Sequence, residues 1–272
     1  MRRAICLLIA CSLASDVKAQ TAEEILDRMA ESYTEQISGI DDYTVRGKNF
    51  TSYHKKYLGT NGYPIFRSKT EDTFSGMTVG TMTTRFGADN MLELRERMSG
   101  VAEYAGRADV AGIDAHVLRL TDFSAMDPLG STDQQPPDSV LFFVDPDAWL
   151  LVRISIHGSL PTQGQDGNVT PTIDFEDFRD VEGMMVPFLT RITMVGVQVD
   201  VSQQQLDDAQ QSLAQLEQRL QSLPAAQREM MMDRLRPQLE RMQQIVDSGT
   251  LETVFEVESV EVNTGLPDSM FN

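Results

Sequence analysis

The segment that most constrains the fold spans residues 140–156. Two runs rich in β-branched and aromatic residues flank the Asp-Pro-Asp sequence at 145–147, where proline fixes φ and aspartate can bond to its own backbone. This pattern predicts a β-hairpin. Both arms are apolar for most of their length, whereas a hairpin with one face in water would alternate apolar and polar residues. The hairpin should therefore lie inside a sheet that is covered on both faces, with Trp149 as a core or cavity-wall residue.

The segments around this hairpin predict a mostly antiparallel sheet accompanied by short helices. Thr21 and Glu24 form a capping-box pattern, and apolar residues at helical spacing predict a helix over 22–36. Alternation from residue 42 predicts one long strand through residue 53. Met91, Leu94 and Met98 share one face of a predicted helix over 88–98. Further strands are predicted at 65–74, 78–86, 101–110, 113–121, 173–178, 184–199 and 250–262, with a long loop at 123–138.

Residues 202–248 break this β pattern. Leucines and other apolar residues recur there at spacings of three and four, on both sides of Leu223-Pro224-Ala225. The spacing predicts an antiparallel helical hairpin inserted between the last two strands. Pro237 falls inside the second arm and should kink or split that helix.

The first 19 residues read as a secretory signal peptide. A basic start at Arg2 and Arg3 precedes a short apolar run, and a small-x-small sequence ends at Ala19. The compartment predicted for the protein is therefore a bacterial periplasm. In an alternative interpretation the apolar run ends in a lipobox, and an acylated Cys11 anchors the protein to a membrane. Residues 20–272 form the predicted folded domain and contain no cysteine.

Charge and motif content exclude several classes of function. The formal net charge of −18 disfavours binding to nucleic acid, and the basic patch predicted at Arg46, Lys48, His54, Lys55 and Lys56 is small. The three histidines are far apart and have no metal-ligand spacing. Nucleophile and phosphate-binding motifs are missing from the sequence. We therefore expect no metal, no cofactor and no enzymatic activity; an unrecognised hydrolase is the third hypothesis, and it would need a carboxylate or histidine facing the pocket.

Three motifs resemble the outer-membrane lipoprotein-sorting (LolA/LolB-like) family of periplasmic carriers. They are Val-Asp-Pro-Asp-Ala-Trp-Leu-Leu-Val-Arg at 144–153, Asp-Phe-Arg-Asp-Val-Glu-Gly-Met-Met-Val-Pro-Phe at 177–188, and Val-Glu-Val-Asn-Thr-Gly-Leu-Pro-Asp-Ser-Met-Phe at 260–271. The resemblance implies a curved antiparallel sheet, an incomplete barrel lidded by helices over a cavity for acyl chains. Two features depart from the family pattern. The stretch at 64–69 only partly matches its basic-proline-aromatic segment, and the helical hairpin has no counterpart in the family's classical carriers.

The expected function is a periplasmic carrier that binds acyl chains of lipids or lipoproteins, for lipoprotein sorting or lipid transfer to the outer membrane. A long apolar cavity suits hydrocarbon, because each buried methylene contributes about 0.8 kcal/mol without directional bonds. The alternative is an interaction or sensor module in which residues 202–248 dock a protein partner or a second copy. The predicted cavity-wall residues are Leu26, Met29, Met91, Leu94, Phe142, Trp149, Leu151, Phe175, Phe188 and Phe255.

Overall fold

The computed structural model describes residues 20–59, 62–72, 91–122, 137–158, 170–195 and 250–271. Four predictions concern residues outside these ranges: the signal peptide at 1–19, the strand at 78–86, most of the loop at 123–138 and the helical hairpin at 202–248.

Within the described ranges, ten strands form one antiparallel sheet. Their bounds are β1 Asp42–Gly47, β2 Phe50–Leu58, β3 Pro64–Asp72, β4 Ala102–Val110, β5 Ile113–Leu120, β6 Ser139–Val144, β7 Leu151–His157, β8 Thr170–Val181, β9 Met184–Val195 and β10 Thr250–Val262. Their spatial order is β3-β2-β1-β10-β9-β8-β7-β6-β5-β4, and every neighbouring pair is antiparallel. β3 and β4 lie at opposite ends of this order, so the sheet is not closed. The predicted class, a mostly β fold built on an incomplete barrel with helices, is confirmed.

Two α-helices of the described part of the chain pack against the sheet and against each other. Helix α1 spans Ala22–Gln36 and begins with the predicted capping box, in which the Thr21 hydroxyl accepts from the Glu24 amide. Helix α2 spans Met91–Met98, and Met91, Leu94 and Met98 are its buried residues. A short 3₁₀ helix at Asp268–Met270 follows the last strand. Neither α-helix has the length and apolarity that crossing a bilayer requires, and the same holds for every helix in the described ranges.

The β6–β7 hairpin has the predicted form. Asp145 accepts the amides of Asp147 and Ala148 in the turn, as an Asx turn does. The hairpin lies within the sheet, between β5 and β8. Phe142 and Ile154 belong to the larger hydrophobic cluster, while Phe143 and Val152 belong to a second cluster. Because side chains alternate across a strand, both faces of the hairpin are buried, as the two apolar arms predicted.

The prediction of a single strand over 42–53 is wrong. The chain turns at Lys48 and Asn49 and returns as β2, which pairs with β1. Gly47 permits this turn: a Cβ there would lie 2.2 Å from the Phe50 ring and 2.6 Å from a backbone oxygen of β10. The turn also changes which residues share a face, because β1 presents odd-numbered residues to the cavity described below and β2 presents even-numbered ones.

The last strand lies in the middle of the sheet. β10 pairs with β1 on one side and β9 on the other, and so joins the first three strands to the remaining six. The chain after β10 is held by Asp42, a buried carboxylate at the start of β1. This carboxylate accepts the Thr264 amide at 2.8 Å, the Thr264 hydroxyl at 3.1 Å, the Gly265 amide at 3.0 Å and the Leu266 amide at 3.1 Å.

Candidate functional site

A cavity of about 160 Å³ lies between α1 and the inner face of the sheet. Its wall takes residues from α1 and the residue after it, from α2, from the β6–β7 turn and from seven strands. The lining residues are Met29, Tyr33, Gln36, Ile37, Tyr43, Val45, Phe50, Ser52, His54, Phe66, Met91, Trp149, Leu150, Leu151, Phe175, Phe178, Met184, Met185, Val186, Pro187, Thr190, Phe255 and Val257.

The cavity wall is uncharged and mostly apolar. None of its lining residues is Asp, Glu, Lys or Arg. Four are methionines, whose unbranched and polarisable side chains adapt to irregular shapes. An ionised ligand group would lose its water in this cavity without meeting an opposite charge, which is unfavourable. The wall is therefore suited to hydrocarbon.

The ten predicted wall residues divide into two groups. Six line the cavity: Met29, Met91, Trp149, Leu151, Phe175 and Phe255. The other four, Leu26, Leu94, Phe142 and Phe188, do not line it and lie in the surrounding hydrophobic cluster. They are fully used in packing. Phe142, for example, has no exposed surface, and the Arg179 guanidinium covers the Phe188 ring at 4.1 Å from its centroid.

Sequence reasoning missed the wall formed by β1 and β2. Phe50, Ser52 and His54 line the cavity, whereas a continuous strand would have put Thr51 and Tyr53 on the face of Tyr43. The prediction also placed His54 in a surface basic patch, although it is only 7% exposed. The signal that could have shown the turn is the polar pair Lys48-Asn49 between a glycine and an aromatic residue.

His54 is held as a neutral imidazole. Its ring stacks on Tyr43 with centroids 4.3 Å apart and planes 3° from parallel. Burial lowers the pKa of His54 from 6.5 to about 3, because the charged form would be desolvated. Ser52, two residues before it on β2, is also 7% exposed and bonds with Thr70 of β3 at 3.0 Å.

Trp149 lies at the end of the β6–β7 turn in a left-handed conformation, with φ of 58°. Its amide donates to the Asp145 carbonyl at 2.9 Å. Its indole stacks on His116 with centroids 5.8 Å apart and planes 12° from parallel. Burial, with a contribution from the nearby Arg107 guanidinium, lowers the pKa of His116. The Trp149 indole therefore stacks on an imidazole that is mostly neutral at neutral pH.

Polar bonds hold the N-terminal part of α1 to α2. Arg95 of α2 contacts the Asp27 carboxylate from Nη2 at 2.6 Å and from Nε at 3.0 Å. Glu23 accepts the Gly100 amide at 2.7 Å. These contacts are partly exposed, so each contributes modestly, and together they make the two helices one cover over the cavity.

A second set of bonds holds the C-terminal part of α1 to the sheet. Gln36 accepts the Met185 amide at 3.1 Å, and the Lys56 ammonium donates to the Ile37 carbonyl at 2.8 Å. Ser32 donates to the Ala148 carbonyl at 3.2 Å. The cover is thus attached to the cavity rim through a few polar contacts, whereas its apolar face meets the cavity.

No metal-binding arrangement is present among the described residues: no three of their His, Cys, Asp and Glu side chains converge. The three histidines lie on β2, β5 and β7 in different surroundings, and His157 bonds with Ser155 at 3.3 Å.

Comparison with known proteins gives structural neighbours only. No family model matches the chain, and no curated protein matches it. A DUF1329 family protein from Desulfovibrio piger has a TM-score of 0.43 and 11% sequence identity, covering 92% of this chain and 95% of that one. A LolA superfamily protein from Nitrosomonas europaea has a TM-score of 0.40 and 13% identity, covering 93% and 98%.

A third neighbour, from Vibrio parahaemolyticus, is described as an outer membrane lipoprotein-sorting protein domain. Its TM-score is 0.39 and its identity 9%, covering 90% of this chain and 95% of that one. Of these three structures, one is described as a LolA superfamily protein and one as a lipoprotein-sorting domain.

Proposed function

We propose that this protein is a periplasmic carrier whose cavity binds the hydrocarbon chain of a lipid or of an acylated protein. The observation that supports the proposal is the uncharged, mostly apolar cavity beneath α1 and α2. A carrier needs apolar burial without strong directional bonds, because its cargo must leave again. The proposal includes no chemical step, and its periplasmic location rests on the signal peptide predicted at residues 1–19.

The size of the cavity indicates that loading requires movement. About 160 Å³ is below the ~300 Å³ at which pockets for drug-sized ligands begin. A long chain therefore has to displace the flexible methionines or lift α1. Met29 of α1 and Met184 and Met185 of β9 line the cavity, so both kinds of movement would enlarge the same space.

The first experiment is native mass spectrometry, with solvent extraction, of the protein purified from cells without detergent. We expect co-purifying mass that matches a phospholipid or an acylated peptide. The second is a titration with alkyl compounds of increasing length. Trp149 is the only tryptophan and lines the cavity, so its fluorescence reports occupancy. Affinity should rise about fourfold per methylene, as ~0.8 kcal/mol of burial predicts, and level off when the cavity is full.

A pair of variants on β9 locates the binding. Thr190 lines the cavity, and Thr193 lies on the other face of the same strand. Thr190→Phe should fill the cavity and weaken alkyl binding by at least tenfold, while Thr193→Phe should leave it unchanged. An empty protein that also takes up no alkyl compound, or equal effects of the two variants, would rule out the proposed carrier site.

A further inference from the structure

The polar side chains of the cavity include an adjacent pair on one wall. Ser52 and His54 are two residues apart on β2 and so share one face of that strand. Both line the cavity, and both are more than nine-tenths buried. On the neighbouring strands, Ser52 pairs with Val45 and with Thr70, to which its hydroxyl bonds at 3.0 Å, and His54 pairs with Tyr43, on which it stacks, and with Ser68. A bound hydrocarbon would therefore meet this pair as a local polar site.

The two side chains offer both kinds of hydrogen bond. A neutral imidazole has one ring nitrogen that donates and one that accepts, and a serine hydroxyl does both. Stacking on Tyr43 fixes the plane of the imidazole. Since burial lowers the pKa of His54 to about 3, its ring stays neutral throughout the physiological range.

The group that fits such a site is neutral. A carboxylate, a phosphate or an ammonium would be desolvated in the cavity, and none of the lining residues carries a compensating charge. A hydroxyl both donates and accepts, as the imidazole and the serine do, whereas an ether or ester oxygen can only accept.

We propose that Ser52 and His54 form a subsite for a neutral hydroxyl group, so that the preferred cargo is a hydrocarbon chain carrying a hydroxyl. This inference rests on the hydrocarbon binding proposed above. It specifies the chemical class of the cargo and the residues that recognise it.

The test uses three octyl compounds titrated at pH 7 with Trp149 fluorescence: 1-octanol, 1-chlorooctane and octanoate. In the unaltered protein, octanol should bind at least tenfold more tightly than octanoate. Octanol loses hydrogen bonds to water when it enters the cavity, and this loss lowers its affinity in every variant. We therefore divide the affinity for octanol by the affinity for chlorooctane and compare this ratio between the unaltered protein and each variant. His54→Phe retains a ring that can stack on Tyr43, and it should lower the octanol-to-chlorooctane affinity ratio by about tenfold. Ser52→Ala should lower the same ratio severalfold.

β7 supplies a matched control pair. Ser155 and His157 have the same spacing on that strand but do not line the cavity. Ser155→Ala and His157→Phe should leave the ratio unchanged. Ser52→Ala removes only a hydroxyl, so it tests the subsite even if His54→Phe fails to fold.

The possible outcomes separate the two proposals. In one outcome chlorooctane binds, but neither His54→Phe nor Ser52→Ala changes the octanol-to-chlorooctane affinity ratio. This outcome would overturn the subsite and leave the carrier function in place. Octanoate binding as tightly as octanol would also overturn the subsite. Failure of every octyl compound to bind would overturn both.

Discussion

Asp42 connects the beginning of the sheet to the end of the chain. Its carboxylate accepts four hydrogen bonds from Thr264, Gly265 and Leu266. The Asn263 side chain bonds to the Asp41 amide at 2.7 Å and to the Gly39 carbonyl at 2.9 Å. The link between α1 and β1 is therefore fixed by residues more than 200 positions later.

Replacing Asp42 by asparagine should destabilise the fold. Asn retains one acceptor oxygen, but its amide NH₂ would face backbone donors. We expect Asp42→Asn to lower the free energy of unfolding by about 2–4 kcal/mol, since bonds to a charged group are the stronger kind. Urea denaturation measures this change. Asp41→Asn, at the exposed neighbouring position, is the control and should stay within about 0.5 kcal/mol of the original protein; an equal loss in both variants would contradict the assigned role.

His54 should make stability depend on pH. Its pKa is about 3 when folded and about 6.5 when unfolded, so between these values the unfolded chain binds more protons. Stability contributed by the neutral ring is thus complete above about pH 6.5 and is lost as the pH falls toward 3. The loss between pH 7 and pH 5 should be about 2 kcal/mol.

Denaturation at pH 7, 6 and 5 measures this dependence, with His54→Phe as the comparison. Between pH 7 and pH 5, the free energy of unfolding of the variant should fall by about 2 kcal/mol less than that of the original protein. His116, whose pKa is also lowered, remains in both proteins, so its contribution cancels. Parallel pH curves for the two proteins would show that His54 is not the group responsible.

At the level of single residues, part of the site could be read from the sequence. Phe175 and Phe255 were found because large apolar residues in strands face inward by default, and Trp149 because it belongs to a hairpin whose two arms are apolar. His54 was not predicted to line the cavity. The face on which a strand residue lies depends on how many positions separate it from the preceding turn. The undetected turn at Lys48-Asn49 reversed that count for the whole of β2.

At the level of elements, α1 covers the cavity through Met29, Tyr33 and Gln36. Its bounds were predicted correctly, as were those of β10, since both have uninterrupted periodicity and clear ends. A pattern of this kind identifies an element but does not indicate what the element packs against. Leu26 and Leu94 show this limit, because helical spacing could not separate core residues from residues that line the cavity.

Fixing α1 to the sheet should slow ligand exchange. Ser32 and Ala148 are in contact through a hydrogen bond, and residues 20–272 contain no cysteine. In that chain, Ser32→Cys with Ala148→Cys should form a disulfide, verified by mass spectrometry. We expect the oxidised protein to take up an alkyl compound at least tenfold more slowly, with the rate restored by reductant. Equal rates in both redox states would show that α1 does not move during loading.

At the level of the whole molecule, β10 determines whether the sheet is continuous. Without it, β1–β3 would have no bonded strand neighbour among β4–β9. The cavity takes residues from both groups, such as Ser52 from the first and Phe175 from the second, so it depends on this connection.

Truncation tests this dependence. A chain that ends at residue 249 should lose cooperative unfolding and all alkyl binding, as seen by circular dichroism and Trp149 fluorescence. A chain that ends at residue 263 retains β10 and loses the Asp42 contacts with Thr264, Gly265 and Leu266. It should still fold, with lowered stability. Cooperative unfolding of the shorter chain would contradict the central role of β10.

The position of β10 also affects the timing of folding. Residues 196–249 separate it from β9, so β10 emerges last of these strands, well after β9, when the chain crosses the membrane from its N-terminal end. During this interval β1 and β9 both have an edge whose final partner does not yet exist, and such edges are prone to wrong pairing. The last strand also makes contacts of very large sequence separation, which slow folding. A chain with this strand order stays unfinished until nearly its last residue is made, and a chaperone that binds open strand edges would act in that interval.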